Sequence, residues 1–234
     1  VAKPVRKPVI VVTGGGQGMG RSAALYFAQR GWDCVLIGRT EAKLRATAQE
    51  VAALGGQAQT IAADLTDLAA VAALAEQVAA ADCLANFAGV SLIRPITETT
   101  AEDWERVHNT NVRAPYFVIK ALLPHLLKSD NPTIVNIGSV TTFGGYAEVS
   151  AYTASKTAIL GLTRALAAEL QPQGVRVVLL APGPADTPMR WAATPDYDRR
   201  LLITPETIAE AVFWLATLPR HVITSEFMLR SSYL

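Results

Sequence analysis

Cysteine is scarce in this chain: Cys34 and Cys83 are the only two among 234 residues. Each sits in an apolar run that reads as a buried strand, so a disulfide framework is not indicated and a reducing, cytoplasmic setting fits. A charge excess is lacking as well. Lys+Arg 21 against Asp+Glu 20 leaves a formal net charge of +1, and without a basic field nothing global points to nucleic acid or an anionic membrane. No uncharged apolar stretch approaches the length needed to span a bilayer. The start, Val1-Ala2-Lys3-Pro4-Val5-Arg6-Lys7, is basic, but glycines cut off the following run, Val9-Ile10-Val11-Val12, after four residues. That run is too short for the core of a signal peptide. His108, His125 and His221 show no metal-ligand spacing and no carboxylate cluster beside them, so no metal is expected and they read as surface or packing residues. Linkers rich in Pro, Gly or Ser, repeats and low-complexity tracts are missing too, which argues for one domain over residues 1–234. What is present is apolar: 50% of the residues are hydrophobic, enough for a sizeable core and too much for disorder.

Apolar runs of strand length alternate with helical patterns from end to end. Strands are expected over residues 9–12, 34–37, 58–62, 83–87, 133–138, 175–181 and 227–229. The interior runs are nearly continuous rather than alternating, as in strands covered on both faces. Between them, residues 21–30 read as a helix ended by Gly31, and residues 41–54 carry Leu and Val at helical spacing up to Gly55-Gly56. A helix over residues 67–80 follows Thr66 as a cap. Thr100-Ala101-Glu102-Asp103 resembles a capping box and opens a long helix, with a kink expected at Pro115. Thr204-Pro205-Glu206 opens another, with proline at the first helical position. This repetition predicts an α/β fold with a doubly wound parallel sheet and right-handed crossovers.

The first expected strand runs into Thr13-Gly14-Gly15-Gly16-Gln17-Gly18-Met19-Gly20 and then into a helix. Glycines at the first strand-to-helix turn of a βαβ unit let the backbone approach a pyrophosphate, and the helix N-terminus offers free N–H groups and positive potential. At the end of the second strand a carboxylate would bind the ribose 2′-OH of NAD, whereas an arginine suits the 2′-phosphate of NADP. Here the residues are Gly38-Arg39-Thr40. Arg39 supplies a planar cation, so NADP(H) is preferred, while NAD(H) stays open because Gln17 is neutral where a second cation would strengthen the case. Tyr152 stands four residues ahead of Lys156, and Ser139 stands thirteen before the tyrosine. A phenol one helical turn from an ammonium can serve as an acid–base group, with its pKa expected to fall from about 10.

Together these residues resemble the short-chain dehydrogenase/reductase (SDR) family over nearly the whole chain. The glycine loop matches that family's pattern at Thr13, Gly14, Gly18 and Gly20, with Gly16, Gln17 and Met19 between them. Asp64, followed by Leu65, matches the position that contacts adenine. Asn86-Phe87-Ala88-Gly89 resembles the family's Asn-Asn-Ala-Gly element, with Phe87 departing from it. Asn111 matches the helix asparagine, Ser139 the serine, and Pro182-Gly183 with Thr187 the segment that closes over nicotinamide. The resemblance implies a Rossmann-type sheet of about seven parallel strands ordered 3-2-1-4-5-6-7 with helices on both faces. It also implies oxidoreduction of a carbonyl or secondary alcohol. Ser139 would hold the substrate oxygen and Tyr152 would pass a proton to or from it. Lys156 would bind the nicotinamide ribose and lower the tyrosine pKa, and Asn111 would fix a water linking Lys156 to solvent. A homo-oligomer, tetramer or dimer, is implied through the long helices around Asn111 and Tyr152.

Walls of a substrate pocket are expected at residues 91–96, 140–149 and 188–200, with a substrate loop over about 184–204. Met189, Trp191, Arg190, Arg199 and Arg200 suggest an apolar pocket with a cationic edge, and Arg94 and Glu148 are further candidates. The C-terminal stretch Pro219-Arg220-His221-Val222 with Glu226 resembles a subgroup ending seen in reductases of small hydroxy acids or carbonyls. The chain runs out about where the last strand does, so no tail is expected over a neighbour's pocket. A non-catalytic reading, an NADP-binding regulatory or redox-sensing subunit of the same fold, stands beside the enzymatic one.

Overall fold

The structure is a computed structural model that describes residues 6–232. Residues 1–5 of the basic start, and residues 233–234, lie outside the described residues. Seven strands form one sheet: β1 (Val9–Thr13), β2 (Asp33–Gly38), β3 (Ala58–Ala62), β4 (Cys83–Asn86), β5 (Thr133–Ile137), β6 (Arg176–Pro182) and β7 (Glu226–Leu229). Their order is β3-β2-β1-β4-β5-β6-β7, as the resemblance implies, and every pairing is parallel, as the strand–helix alternation predicts. The helices are α1 (Gly18–Ala28), α2 (Glu41–Ala53), α3 (Leu68–Gln77), α4 (Ala101–His108), α5 (Ala114–Leu126), α6 (Ser150–Leu170), α7 (Pro188–Ala193) and α8 (Pro205–Thr217).

Successive strand residues point to opposite faces, and both faces are covered. Ile10 and Val12 of β1 join a core with Phe27 of α1 and Val212 of α8. Val11, between them, joins a second core with Leu74 of α3 and Leu122 of α5. The continuous apolar runs are the trace of this two-sided burial. Cys34 and Cys83 are free and buried; burial pushes the Cys34 thiol up to about 12 and raises Cys83 as well. His108 stacks on Trp104, and His125 Nε2 bonds the Ala75 carbonyl.

Two features were not legible in the runs. Between α4 and α5 the chain makes a π-helical turn, Asn109–Arg113. Pro115 lies at the start of α5 rather than at a simple kink. Proline lacks the N–H that would bond four residues back, to the Asn111 carbonyl, and the wider turn absorbs that mismatch. The second feature is Arg176, buried within the apolar β6 run. Its guanidinium donates to the carbonyls of Leu215, Leu218, Pro219 and Val222, and to Thr133 Oγ1. Those bonds fasten the segment after α8 to the sheet and so set the approach to β7.

Candidate active site

The strand order reverses between β1 and β4, which opens a crevice at the carboxyl ends of the strands. Two adjoining cavities occupy it. The smaller, about 210 Å³, is bordered by Gly14, Gly16, Gln17, Gly18, Met19 and Gly20, by Arg39, and by Asp64, Leu65, Ala88 and Gly89. The larger, about 500 Å³, is bordered by Ser139, Tyr152, Lys156, Pro182 and Gly183. Met19, Phe87, Gly89, Val90, Thr187 and Met189 line both.

The smaller cleft fits a dinucleotide on three grounds. Gly14 has φ +71°, a left-handed conformation that favours glycine, and a Cβ on Gly20 would sit 2.4 Å from the Gly14 carbonyl oxygen. The loop therefore folds tightly enough to bring backbone close to a ligand. Helix capping is selective as well. Side chains cap α3, α4, α7 and α8 and not α1, α2, α5 or α6; of the uncapped helices, α1 and α2, after Gln17 and Thr40, begin at this cleft. Their first N–H groups and positive dipole ends are available to phosphate oxygens. Finally, the cleft holds a second cation that the sequence reading missed. Lys43, in the first turn of α2, donates to Gln17 Oε1 at 2.6 Å. Its signal was its place four residues after Arg39, which puts it at the mouth of the same strand-to-helix turn. Asp64 is held by Thr66, whose N–H and Oγ1 donate to Oδ1 at 2.9 and 2.8 Å. Those bonds, with the charge of Arg39, keep its carboxyl below the usual range.

In the larger cavity α6 presents Tyr152 and Lys156 one turn apart, and Ser139 faces them from the end of β5. Ser139 caps a short 3₁₀ turn, accepting from the Thr141 N–H at 3.2 Å while Thr142 Oγ1 accepts from its own N–H. Lys156 is 7% exposed, and its Nζ donates to the Ile137 carbonyl at 2.8 Å. Burial lowers its pKa to about 8. The expected fall of the tyrosine pKa is reversed in this structure. Burial raises the Tyr152 phenol, and a hydrogen bond with Ser139 and the charge of Arg190 only partly oppose it. The physical reason is direction: the Lys156 ammonium is turned to a backbone carbonyl and lies 5.7 Å from the Tyr152 ring centroid.

Three of the sequence candidates lie behind the cavity walls rather than on them. Thr13 Oγ1 accepts from the Ala88 N–H at 3.1 Å, tying the β4 end to β1. Asn86 Nδ2 donates to Asn136 Oδ1, and Asn136 Nδ2 to Thr163 Oγ1, in a buried ladder. Phe87, where the family element has an amide, lines both cavities. Asn111 lies in the π turn, 2% exposed. Its Oδ1 accepts from the Val90 N–H, and its Nδ2 donates to the Val90 carbonyl and to Ser155 Oγ. The side chain thus holds the loop after β4 against α6, and its amide bonds go to protein partners.

Among the substrate-wall candidates, Met189 and Arg190 line the larger cavity, as do Ser91, Leu92, Ile93, Val140, Thr141 and Val149. Others turn away. Arg94 pairs with Asp103, and its N–H bonds the Glu148 carbonyl; neither Arg94 nor Glu148 borders the cavity. Trp191 Nε1 donates to Asp186 at 2.6 Å. The expected loop is pinned at its base by a bridge between Ala185 and Ile203. Arg230, just past β7, borders the cavity and was not anticipated.

Comparison with known proteins agrees with this architecture. The short chain dehydrogenase family profile matches residues 8–198. An uncharacterized oxidoreductase of Staphylococcus epidermidis is 34% identical over 230 residues, covering 97% of this chain and 98% of that protein. An alcohol dehydrogenase of the archaeon Thermococcus sibiricus, solved with 5-hydroxy-NADP, superposes with a TM-score of 0.90 at 26% identity, covering 98% of both chains. A metagenomic short-chain oxidoreductase in complex with NADP gives a TM-score of 0.84 at 34% identity, covering 96% of this chain and 97% of that one. By its profile, its relatives and its strand order, the chain belongs to the short-chain dehydrogenase family of oxidoreductases.

Proposed function

We propose that this protein is an NADP(H)-dependent oxidoreductase that interconverts a carbonyl and a secondary alcohol. The observation that carries this reading is the convergence of Ser139, Tyr152 and Lys156 on a cavity that adjoins the glycine-loop cleft. A bound nicotinamide supplies or accepts the hydride at the substrate carbon. The chain's own residues act on the oxygen. Ser139 donates a hydrogen bond to the carbonyl and holds it against Tyr152. The Tyr152 hydroxyl gives its proton as charge develops on that oxygen, and takes it back in the reverse direction. Lys156 places a buried positive charge beside the resulting phenolate. Its favourable effect is largest after proton transfer, when the negative charge exists.

NADP(H) is favoured over NAD(H) because Arg39 and Lys43 both face the smaller cleft and neither forms an ion pair with a carboxylate among the described residues. The NADP complexes of two structural relatives support the same choice. We also infer a homo-oligomer assembled through α6 and its neighbours. Soluble cytoplasmic chemistry on a small molecule fits the fold; among the described residues no helix is long and apolar enough to cross a membrane.

Replacing Tyr152 by Phe tests the central claim. Loss of the proton donor should lower kcat by at least about 10²- to 10⁴-fold, with dinucleotide affinity, read by fluorescence titration, largely kept. Turnover that survives the change would remove Tyr152 from its role. Dinucleotide binding with no turnover of any carbonyl or alcohol would favour the regulatory reading instead.

A further inference from the structure

Resting on that reading of the cavity, we propose that the physiological substrate is a small organic acid, an oxo acid or the matching hydroxy acid, whose carboxylate is bound by Arg190. The first observation is a charge imbalance. Lys156, Arg190 and Arg230 line the larger cavity, and among the described residues no Asp or Glu does. Lys156 is turned to the Ile137 carbonyl at the inner end, so the outer positive charge belongs to the two arginines.

The second observation is the pairing of arginines within the substrate loop. Arg199 lies 3.9 Å from Asp186 and stacks over Trp191. Arg200 pairs with Asp198 at 2.7 Å. Arg190 alone of the three has no carboxylate partner among the described residues. It is nonetheless held in place: its guanidinium lies 4.8 Å over the Tyr197 ring, and Nη1 donates to Thr194 Oγ1 at 3.2 Å. Both partners are neutral. A half-buried guanidinium fixed by neutral groups keeps its charge and most of its N–H donors for something that enters the cavity, and its planar fork matches a carboxylate. Arg190 is also close enough to Tyr152 for its charge to act on the phenol, so a bound carboxylate and the reacting oxygen would share one enclosure.

The remaining walls describe the rest of the molecule. Leu92, Ile93, Val149 and Met189 offer apolar surface to a short alkyl or aryl body. The cavity of about 500 Å³ must take the nicotinamide ring as well, which leaves room for an acid of modest size. The carboxylate takes no part in bond making; it fixes which carbonyl carbon stands over the hydride.

The test uses the purified full chain with NADPH and a panel of α- and β-oxo acids, each paired with its methyl ester and with a phosphate-bearing ketone of similar length. Wild type should favour the acid over the ester in kcat/KM. Arg190→Gln should reduce that ratio by about 10- to 100-fold, mainly through a higher KM for the acid, the range expected for a lost charge-assisted contact. Arg190→Lys, which keeps the charge and loses the fork, should restore part of it and guards against a folding defect. Binding of the acids is read separately, as a shift in Tm at saturating NADPH. Esters preferred by wild type, a ratio unmoved by Arg190→Gln, or a clear preference for the phosphate would overturn the proposal while leaving carbonyl reduction intact. Acid binding that needs Arg190, with no carbonyl turned over, would sustain the anion site and sink the hydride-transfer reading alone.

Discussion

Lys156 carries an ammonium into the interior of the protein, where among the described residues one backbone carbonyl, that of Ile137, receives it. A buried charge with so few partners opposes folding. The depressed pKa, about 8 against 10.5 for an exposed lysine, is the same statement in protons. Between those two values the unfolded chain binds more protons than the folded one, so this group makes stability rise with pH across that window. Below pH 8 its penalty is fully present. Lys156→Met, which fills the volume with an apolar side chain, should therefore raise Tm at neutral pH while abolishing turnover. The gain should shrink as pH climbs from about 8 toward 10.5, where the wild-type lysine can shed its charge in the fold. Melting curves of both proteins across that range check the claim. A variant less stable than wild type at pH 7 would show that Lys156 is a net stabiliser. Such a trade of stability for a poised charge is expected where chemistry, rather than packing, selects the side chain.

At the scale of elements, the proposed preference for NADP(H) rests on the junction between β2 and α2. Gly38 ends the strand with no side chain, Arg39 follows, and the helix starts uncapped at Thr40. Lys43 then returns one turn later to meet Gln17. Two cations and a bare helix N-terminus at one corner suit a phosphate dianion better than a ribose hydroxyl. Arg39→Asp should shift preference toward NAD. Lys43→Ala should weaken NADPH by about 5- to 10-fold, a rim charge of modest worth, and leave NADH nearly unaffected; fluorescence titration with both cofactors reads this. Equal losses for the two would mean that Lys43 only braces the glycine loop. The contrast between Arg39 and Lys43 shows what the sequence could tell. Arg39 follows a strand whose end is marked by its own apolar run, so its place was legible. Lys43 is one of several charged residues on an amphipathic helix, and only the fold reveals which of them meets Gln17. The same holds at the site. Ser139, Tyr152 and Lys156 were readable because fixed spacing and strand–helix alternation set them on adjoining elements. The Asn86–Asn136–Thr163 ladder and the pairing of the loop arginines were not, because both depend on contacts between distant parts of the chain.

At the scale of the whole molecule, the homo-oligomer inferred above would be built on the exposed face of α6. Helix α6 runs for 21 residues, about 30 Å at the usual rise. Along it Ala154, Ala158, Gly161, Ala165 and Ala168 recur at helical spacing, four of them exposed and Ala154 half-buried. A Cβ built on Gly161 would meet nothing within 4 Å, so glycine is not required there by packing within the chain. Small residues at three- and four-residue intervals let two helix backbones approach closely. A stripe of this kind paired with its own copy about a twofold axis makes a self-complementary contact. Exposed Trp104 on α4 and Tyr116 on α5 offer further apolar area nearby. Light scattering should therefore give a mass of two or four chains. Ala165→Arg, which sets a long cation on that face and lies about three and a half turns of helix from Tyr152, should lower the mass to a smaller species. Because α6 also carries Tyr152 and Lys156, separation of the copies should loosen the first turns of the helix and reduce kcat before it reduces dinucleotide binding. A wild-type chain that scatters as a monomer at micromolar concentration would remove the inference, and an unchanged mass in Ala165→Arg would move the interface to another face.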